Sequence, residues 1–361
     1  MEFIEEELKQ LKNAGLYRSL KTIEKIDGSR VTISGKEYLN FCSNDYLGLS
    51  RHPKVKEKAI EIIREFGFGS GSSRLISGNS VIHEELERKI AKLKKREAAI
   101  VFPTGYMANL GAITTLVGEE DAVIIDRLDH ASIIDACRLS KAKLLVYPHK
   151  DMGALEKILK RLDKFKKRLI VTDTVFSMDG DIAPLAEISE LAKRFNAMLM
   201  TDDAHATGVI DLDNPADIVM GTLSKAIGSL GGFVAGSRQL IDYLRNKARS
   251  FIYTTALSPA ACAASIAAIE IIEKEPERIE RLRMNSRLLG SETPIIPIII
   301  GDAGKTMEIS RKLFEGGIFV SGIRPPTVPE GEARLRITVT SEHTKEEIEC
   351  LASLLRELIP A

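Results

Sequence analysis

The stretch from Met198 to Gly236 constrains the fold more than any other part of the chain. It opens on a short apolar run, Ala197 to Met200, which predicts a buried strand, and Asp202 follows that run almost at once. A second apolar segment, Ile218 to Met220, leads into the loop that carries Lys225. Open α/β sheets place their ligand crevice at the carboxyl ends of the strands. Asp202 and Lys225 are therefore expected to face one crevice.

A carboxylate and a lysine that face one ligand are typical of one specific chemistry. Pyridoxal phosphate is held as a Schiff base by a lysine, while an acid pairs with its pyridine nitrogen so that the ring can absorb electrons from a carbanion. Either residue alone is more often structural, since a strand-end Asp commonly caps a helix and a Lys is commonly solvated. The rest of the chain decides between these two interpretations.

Length and composition indicate an ordinary globular protein. The 361 residues suffice for two domains, and 44% hydrophobic with 28% charged residues is usual for this class. Lys+Arg and Asp+Glu both number 51, so no charge excess points to a nucleic-acid or membrane partner. The four cysteines lack CxxC spacing, which argues against a disulfide framework or a zinc site; no metal is expected, and a reducing cytoplasm fits.

The chain shows no targeting or membrane pattern. The segment MEFIEEELKQLKNAG is acidic and amphipathic, without the basic start and apolar stretch of a signal peptide. No apolar run reaches the ~18 residues of a membrane span. We therefore expect a cytoplasmic protein.

Strands and helices alternate from Ala98 to Phe195, which predicts a doubly wound, mostly parallel sheet in an α/β fold. The segment 157–167 is interpreted as a basic helix and 319–323 as one strand. The glycines before Gly236 form a cluster to which no element is assigned. The C-terminal part predicts a smaller α+β unit. The expected domains are an N-terminal arm at 1–39, a large cofactor-binding domain at 40–274 and a small C-terminal domain at 275–361.

Three well-known site motifs are not matched by the arrangement of residues in this chain. The glycine-rich segment 67–80 lacks the GxxxxGK[ST] of a nucleotide-binding loop, and HEELE lacks the HExxH of a zinc protease. Ser177 could be combined with His205 and Asp202 into a hydrolase triad, but Ser177 does not lie in GxSxG, so nothing supplies a nucleophile elbow. In contrast, PTGYMANLGAITTL begins with a turn that opens a helix, and helix N-termini bind phosphate well.

With these residues in view, the chain resembles the α-oxoamine synthases, pyridoxal-phosphate enzymes of the aspartate-aminotransferase fold type I. The resemblance runs from Asn44 to the C-terminal helix. The motifs that carry it are NDYLGLS, GSGSSRLISGNS, DHASIIDACRLSKAK, DTVFSMDGD, TDDAHATG, GTLSKAIGSLGGFVAG and RLRITVTSEHT.

The resemblance implies a role for each residue around the cofactor ring. Lys225 matches the lysine that forms the Schiff base, and Asp202 the acid on the pyridine nitrogen. His205 matches the partner of the ring 3-oxygen, with Ser177 expected near the same atom. His130 matches the histidine stacked on the ring.

The resemblance also implies phosphate and substrate contacts. Gly105 and Tyr106 match backbone contacts to the phosphate, and Thr222 a hydroxyl contact. Thr254 and Thr255 match hydroxyls that reach the cofactor of a neighbouring subunit, which implies a homodimer. The substrate-binding positions that the resemblance implies are Arg18, Asn44 and Arg336, with the Arg336 guanidinium on the amino-acid carboxylate.

The sequence IRPPTVP, residues 323–329, most resembles one branch of the family. That branch joins L-alanine to a pimeloyl thioester, on CoA or a carrier protein, in biotin synthesis. Alternatives stay open: the branch that uses glycine and acetyl-CoA, and a non-catalytic scaffold that only binds the cofactor. The intact set of Lys225, Asp202 and His205 argues against the scaffold. The chain is shorter than the usual member, and the missing residues are expected between Arg283 and Glu292.

Overall fold

The computed structural model describes residues 1–359, and the chain divides into two compact units. The larger unit consists of Asp45–Ser177 and Asp181–Glu280. The smaller unit consists of Met1–Asn44, Met178–Gly180 and the residues from Arg281 onward. The domain boundaries expected at 39/40 and 274/275 stay a prediction, and the last two residues of the expected small domain lie outside the described residues.

A seven-stranded sheet forms the centre of the larger unit. Its strands are β4 (Ala98–Phe102), β5 (Ala122–Asp126), β6 (Lys143–Tyr147), β7 (Arg168–Asp173), β8 (Met198–Asp202), β9 (Ile218–Thr222) and β10 (Gly232–Gly236). They lie in the order β4-β10-β9-β8-β7-β5-β6. β10 runs antiparallel to both of its neighbours, and the pairs from β9 to β6 are parallel. The predicted doubly wound, mostly parallel α/β sheet is confirmed.

Helices accompany this sheet along the chain. They are α2 (Pro53–Phe66), α3 (Val81–Leu93), α4 (Gly105–Leu116), α5 (Ala131–Ser140), α6 (Met152–Leu159), α7 (Leu185–Arg194), α8 (Arg238–Lys247), α9 (Arg249–Ile252) and α10 (Pro259–Lys274), and α11 (Glu277–Leu288) follows.

The strand β5 shows why the sheet needs helices on both of its faces. Val123 and Ile125 lie in one core cluster with residues of α4 and α5, and Ile124 lies in a second cluster with residues of α6 and α7. Successive residues of a strand point to opposite faces, so an apolar run such as AVII must be covered on both. The continuous apolar runs that predicted these strands are therefore the consequence of two-sided burial.

Two small sheets make up the smaller unit. One has the order β1-β2-β3-β12 and the other β11-β14-β13. The strands are β1 (Lys25–Asp27), β2 (Arg30–Ile33), β3 (Lys36–Asn40), β11 (Ile295–Gly301), β12 (Ile318–Phe319), β13 (Ser321–Ile323) and β14 (Ala333–Thr338). The helices are α1 (Glu2–Asn13), α12 (Ala303–Glu315) and α13 (Lys345–Leu358), and a capping box between Thr344 and Glu347 starts α13. This is the expected smaller α+β unit.

Two sequence-based expectations need correction. The glycine cluster before Gly236, to which the sequence assigned no element, is the fully buried strand β10. The helix expected at 157–167 ends at Leu159, because the chain then makes single tight turns at Leu162 and Phe165. The strand expected at 319–323 breaks at Val320 into β12, which pairs with β3, and β13, which pairs with β14.

The junction that is expected to be shortened contains the end of α11 and a tight turn. Ser291 N–H donates to Ser286 O at 3.1 Å, and Gly290 takes a φ of +75° that favours glycine. β11 begins at Ile295 directly afterwards. Within the described residues, no helix has the combination of length and apolar character that crossing a membrane requires.

Candidate active site

A cavity of about 250 Å³ lies at the carboxyl ends of β7, β8 and β9 in the larger unit. Open α/β sheets bind ligands at this end of their strands. The predicted residues that line the cavity are Gly105, Tyr106, His130, Ser177, Asp202, His205, Thr222 and Lys225. The structure therefore brings these residues together in one chain, as the sequence predicted, while their individual roles stay predictions.

Lys225 reaches this cavity from the loop after β9, and it faces a histidine. Its Nζ lies 2.9 Å from Nε2 of His205, and Nδ1 of His205 lies 2.6 Å from the hydroxyl of Tyr46. Tyr46 is fully buried, so this contact holds the imidazole from the side away from the lysine. The sequence did not predict a role for Tyr46.

The carboxylate of Asp202 has an N–H donor at each oxygen. Nδ2 of Asn109 donates to Oδ2 at 2.8 Å, and the backbone N–H of Ala204 donates to Oδ1 at 2.9 Å. Asp202 is 4% exposed. Its orientation is therefore fixed from both sides by groups that do not titrate.

The neighbouring Asp203 has a different set of contacts. Its Oδ2 pairs with Lys94 Nζ at 2.7 Å, and its Oδ1 accepts from Thr174 and from Asn214. Side chains at adjacent positions point apart, and Asp203 does not line the cavity. Of the two adjacent acids, Asp202 belongs to the cavity and Asp203 to a buried ion pair.

His130 sits at the N-cap of α5 and lines the cavity. Its Nδ1 lies 2.8 Å from Ser132 Oγ and accepts the backbone N–H of Ser132 at 3.2 Å. Burial lowers the pKa of His130 below its ordinary value, against the nearby Asp202 carboxylate, which raises it. The histidine therefore favours its neutral form.

A second carboxyl group, Asp173 at the end of β7, also lines the cavity. Burial raises the pKa of Asp173 well above its usual value, and the Asp202 carboxylate adds to the rise. Asp129 lies behind it, with Oδ1 accepting the backbone N–H of Asp173 at 2.9 Å, and burial raises the pKa of Asp129 as well. The cavity thus combines Asp202, which has two N–H donors, with a second acid whose ionisation is opposed.

The helix α4 begins at the cavity wall. Thr104 caps it by accepting the N–H of Met107 at 3.2 Å, and Thr104, Gly105 and Tyr106 line the cavity. A Cβ atom on Gly232 would lie 2.6 Å from Cα of Gly105, so β10 and the start of α4 pack backbone against backbone. This close packing presents the N-terminal peptide groups of α4 to the cavity.

The hydroxyl of Thr222 is engaged within the chain. Its Oγ1 donates to Gly231 O at 2.9 Å and lies 2.8 Å from Ser224 Oγ. Thr254 and Thr255, which are predicted to reach the phosphate of a neighbouring subunit's cofactor, do not line this chain's cavity. Thr255 is exposed and Thr254 half-buried.

The predicted substrate-binding residues lie in the smaller unit. Both terminal nitrogens of Arg336 lie 3.3 Å from Asn44 Oδ1, and Nη1 donates to Thr338 Oγ1 at 2.9 Å. Arg334 occupies the same face of β14, two residues away, and is 1% exposed in ion pairs with Asp179 and Glu332. Arg18 is exposed, with Nη2 3.5 Å from Thr327 Oγ1.

Sequence reasoning missed Asn109, although one signal was available. The helix GYMANLGAITTL is largely apolar, and Asn109 is fully buried within it. Buried polar side chains in proteins are hydrogen-bonded, so a lone Asn in such a helix indicates a specific partner. Within the described residues, no group of three or more His, Cys, Asp or Glu side chains is arranged to hold a metal ion.

Comparison with known proteins agrees with this architecture. Residues 36–355 match the family model described as aminotransferase class I and II. A protein of Thermoanaerobacter pseudethanolicus called 8-amino-7-oxononanoate synthase is 48% identical over 373 residues, covering 97% of this chain and 94% of the relative. One of the same description from Citrifermentans bemidjiense is 49% identical, covering 99% and 98%. The first alignment is longer than the 361 residues of this chain, so that relative contains residues this chain lacks.

Solved structures give the same result. The chain superposes on a serine palmitoyltransferase of S. paucimobilis, described with a bound PLP–myriocin aldimine, at a TM-score of 0.93 with 31% identity, covering 98% of this chain and 96% of that one. A crystal structure of 8-amino-7-oxononanoate synthase from Francisella tularensis gives a TM-score of 0.76 with 29% identity, covering 89% and 97%. The chain therefore belongs to the class I and II aminotransferase family and, within it, to the α-oxoamine synthases that its motifs indicated.

Proposed function

We propose that this chain is a pyridoxal-phosphate-dependent acyltransferase of biotin synthesis. It condenses L-alanine with a pimeloyl thioester and releases 8-amino-7-oxononanoate, CO2 and the free thiol. The observation that carries this proposal is the meeting of Lys225, Asp202, His205 and His130 in one cavity. Relatives that are 48–49% identical over nearly their whole length support the choice of substrates.

The residues present fit pyridoxal phosphate. The cavity of about 250 Å³ exceeds the ~150 Å³ that accommodates a benzene ring. The N-terminus of α4 at Gly105 offers backbone N–H groups and a positive dipole end to a phosphate. Asp202 would hold the pyridine nitrogen and Lys225 would bind the aldehyde carbon. When bound, the cofactor supplies an electron sink that stabilises a carbanion at the α-carbon of the amino acid.

We assign proton transfer and the positioning of the cofactor to side chains of this chain. The Lys225 amine is placed to take the α-proton, and His205, held by the Tyr46 hydroxyl, keeps its ring 2.9 Å from that amine. Asp202 is held in position by Asn109 and Ala204, so it needs no rearrangement during the reaction. We assign Ser177 to the ring oxygen together with His205, and His130 to the face of the ring.

Arg336 is our candidate for the carboxylate of the amino acid. Its guanidinium is oriented by Asn44 and Thr338 and is 8% exposed. A guanidinium presents its N–H donors in a planar fork that matches a carboxylate bidentately. Arg334 on the same strand is 1% exposed and forms two ion pairs. We assign Arg18 to the acyl substrate on the resemblance alone.

We further infer a homodimer in which Thr254 and Thr255 contact the phosphate of the partner's cofactor. Their position outside this chain's cavity supports that role. Phe68, Ile76 and Tyr253 are 74%, 81% and 71% exposed, and a subunit interface would bury such large apolar side chains. Sedimentation should give a dimer, and a fully active monomer would contradict the inference.

A substrate panel tests the proposed function. The purified chain, loaded with pyridoxal phosphate, is mixed with L-alanine or glycine and with pimeloyl-, acetyl- and intermediate acyl-CoAs, and CoA release is followed. We expect the highest kcat/KM with L-alanine and pimeloyl-CoA. Some turnover of glycine is also expected, since one methyl group discriminates by only ~1–3 kcal/mol. A preference for glycine with acetyl-CoA would assign the chain to the glycine-using branch, and no CoA release with any pair would contradict an acyltransferase.

A further inference from the structure

Four side chains form a continuous series of hydrogen bonds along the cavity, from His130 to Asp202. Ser132 Oγ lies 2.8 Å from His130 Nδ1, and Asn109 Nδ2 lies 2.8 Å from both Ser132 Oγ and Asp202 Oδ2. All four residues line the cavity. Ser132 and Asn109 are 1% and 0% exposed, so water does not compete for these contacts.

The chemistry of each group fixes the direction of the series. An amide nitrogen only donates, so Asn109 uses its two N–H groups for Asp202 and for Ser132. With the amide flipped, its oxygen would lie 2.8 Å from a carboxylate oxygen, which is repulsive, so this orientation is the one that fits. Ser132 Oγ accepts from Asn109, and its own hydrogen is then available for His130.

Nδ1 of His130, at the end of the series, must accept a hydrogen bond. The backbone N–H of Ser132 also donates to His130 Nδ1, at 3.2 Å, so this ring nitrogen carries a lone pair. A neutral imidazole with a lone pair on Nδ1 has its proton on Nε2. Burial and the nearby Lys225 both lower the pKa of His130, while the Asp202 and Asp135 carboxylates raise it, and the net direction favours the neutral ring.

The side-chain oxygen of Asn109, Oδ1, indicates that this residue does not contribute to the stability of the helix. Its Oδ1 is buried and has no hydrogen-bond partner among the described residues. A buried polar atom without a partner costs free energy, so an apolar side chain would suit the core of α4 better. Asn109 therefore stabilises the site at the expense of the helix.

We propose that Asn109 and Ser132 are positioning residues that hold His130 with its proton on Nε2 and link its ring to the Asp202 carboxylate. The importance of this link for catalysis rests on the proposed function, because it fixes the two side chains that we assign to the cofactor ring. The protonation pattern itself is a property of the chain alone.

The first test uses the wild-type chain without cofactor, so it does not depend on the proposed function. ¹⁵N–¹H correlation spectra of protein labelled in the imidazole rings are recorded, and His130 is assigned among the six histidines by its absence in His130→Gln. We expect Nε2 to carry the proton and Nδ1 to behave as an unprotonated nitrogen. A proton on Nδ1, or a charged ring at neutral pH, would overturn the proposal.

The second test measures cofactor affinity and the absorption spectrum of the loaded enzyme in Asn109→Ala and Ser132→Ala. Each loses a buried hydrogen bond, so the Kd of pyridoxal phosphate should rise by about threefold to tenfold for Ser132→Ala and by about tenfold or more for Asn109→Ala, where the acceptor is charged. The absorption band of the bound cofactor should shift in both variants. Thr114→Val on α4 and Ser140→Ala on α5 are matched controls, since each removes a hydroxyl that bonds only within its own segment.

The outcomes of the two tests are distinguishable. Wild-type affinity and spectrum in Asn109→Ala would overturn the link to Asp202. An equal loss in the control variants would show a general effect of destabilising the helices, and would also overturn it. If the wild-type chain fails to bind pyridoxal phosphate at all, the proposed function fails, while the spectra of the cofactor-free chain still decide the state of His130.

Discussion

The amine of Lys225 lies 2.9 Å from Nε2 of His205, and the other ring nitrogen of that histidine lies 2.6 Å from the Tyr46 hydroxyl. The lysine that is assigned to the cofactor is thus held by a buried series of side chains that begins far away in sequence. Tyr46 precedes His205 by 159 positions. The local sequence around Lys225 does not reveal this support.

We expect Lys225→Ala to abolish turnover, because no other group at this position can bind the cofactor covalently or take the α-proton. The fold should stay intact, as measured by circular dichroism. Borohydride reduction of the loaded wild type, followed by peptide mapping, should add one cofactor group to the peptide that contains Lys225. Lys166→Ala, an exposed lysine paired with Glu120, is the control and should retain full activity. A label on any other lysine would contradict the assignment.

The adjacent acids should respond in opposite ways. Asp202→Asn keeps the shape but removes the carboxylate that we assign to the pyridine nitrogen, so turnover should fall by about 10²–10³-fold with a smaller effect on cofactor affinity. Asp203→Ala removes the partner of Lys94, whose side chain is 12% exposed, which should lower the free energy of unfolding by about 3 kcal/mol. Steady-state kinetics and urea denaturation of both variants separate the two roles. Near-wild-type turnover in Asp202→Asn would remove that residue from the mechanism.

The two arginines of β14 form a second matched pair. Arg336→Ala should raise the KM for the amino acid by about 10- to 100-fold, as expected when a charged hydrogen-bonding group is lost, while the KM for the acyl-CoA changes little. Arg334→Ala should instead lower the free energy of unfolding by about 3 kcal/mol, since the buried arginine pairs with Asp179. An unchanged amino-acid KM in Arg336→Ala would show that another group holds the carboxylate.

As the pH drops from about 6.5 to about 4, His343 alone should lower the free energy of unfolding by about 3 kcal/mol. Burial lowers the pKa of His343 to about 4. In that range the unfolded chain binds a proton at this histidine and the folded chain does not, so acid favours unfolding. Urea denaturation at several pH values should show that the wild type loses about 3 kcal/mol of its free energy of unfolding relative to His343→Gln over this range.

The control for the pH prediction is Ile170→Val. Ile170 is fully buried in β7 of the larger unit, so its truncation should lower stability by about 0.5–1.5 kcal/mol without changing the titrating group or its burial. The pH dependence of Ile170→Val should therefore remain as steep as in the wild type. An unchanged slope in His343→Gln would exclude His343 as its cause.

The sequence predicted most of the fold because burial leaves a simple pattern. The strands β8 and β9 are buried along almost their whole length, so they appear as apolar runs. β10 was not predicted as a strand because GFVAG begins and ends with glycine, which is typical of turns. Those glycines are required by packing, since a Cβ on Gly232 would lie 2.6 Å from Gly105, and one on Gly236 would lie 2.6 Å from Leu240.

The site was predictable where motifs carry the chemistry and unpredictable where it depends on distant contacts. Lys225, Asp202 and His130 lie in recognisable motifs at strand ends. Asn109 donates a hydrogen bond to Asp202, 93 positions away, and the Tyr46 hydroxyl contacts His205. Such partners are set by how the sheet and helices pack, which no local pattern of spacing records.

The most direct test of the proposed reaction follows the carbon atoms of alanine. The loaded enzyme is mixed with pimeloyl-CoA and with L-alanine labelled with ¹³C at C1 or at C3, and CO2, CoA and the product are quantified by mass spectrometry. We expect one labelled CO2 for each CoA released when the alanine is labelled at C1, and retention of the C3 label in 8-amino-7-oxononanoate. Release of CoA with the C1 label retained, as in a simple N-acylalanine, would contradict decarboxylative condensation.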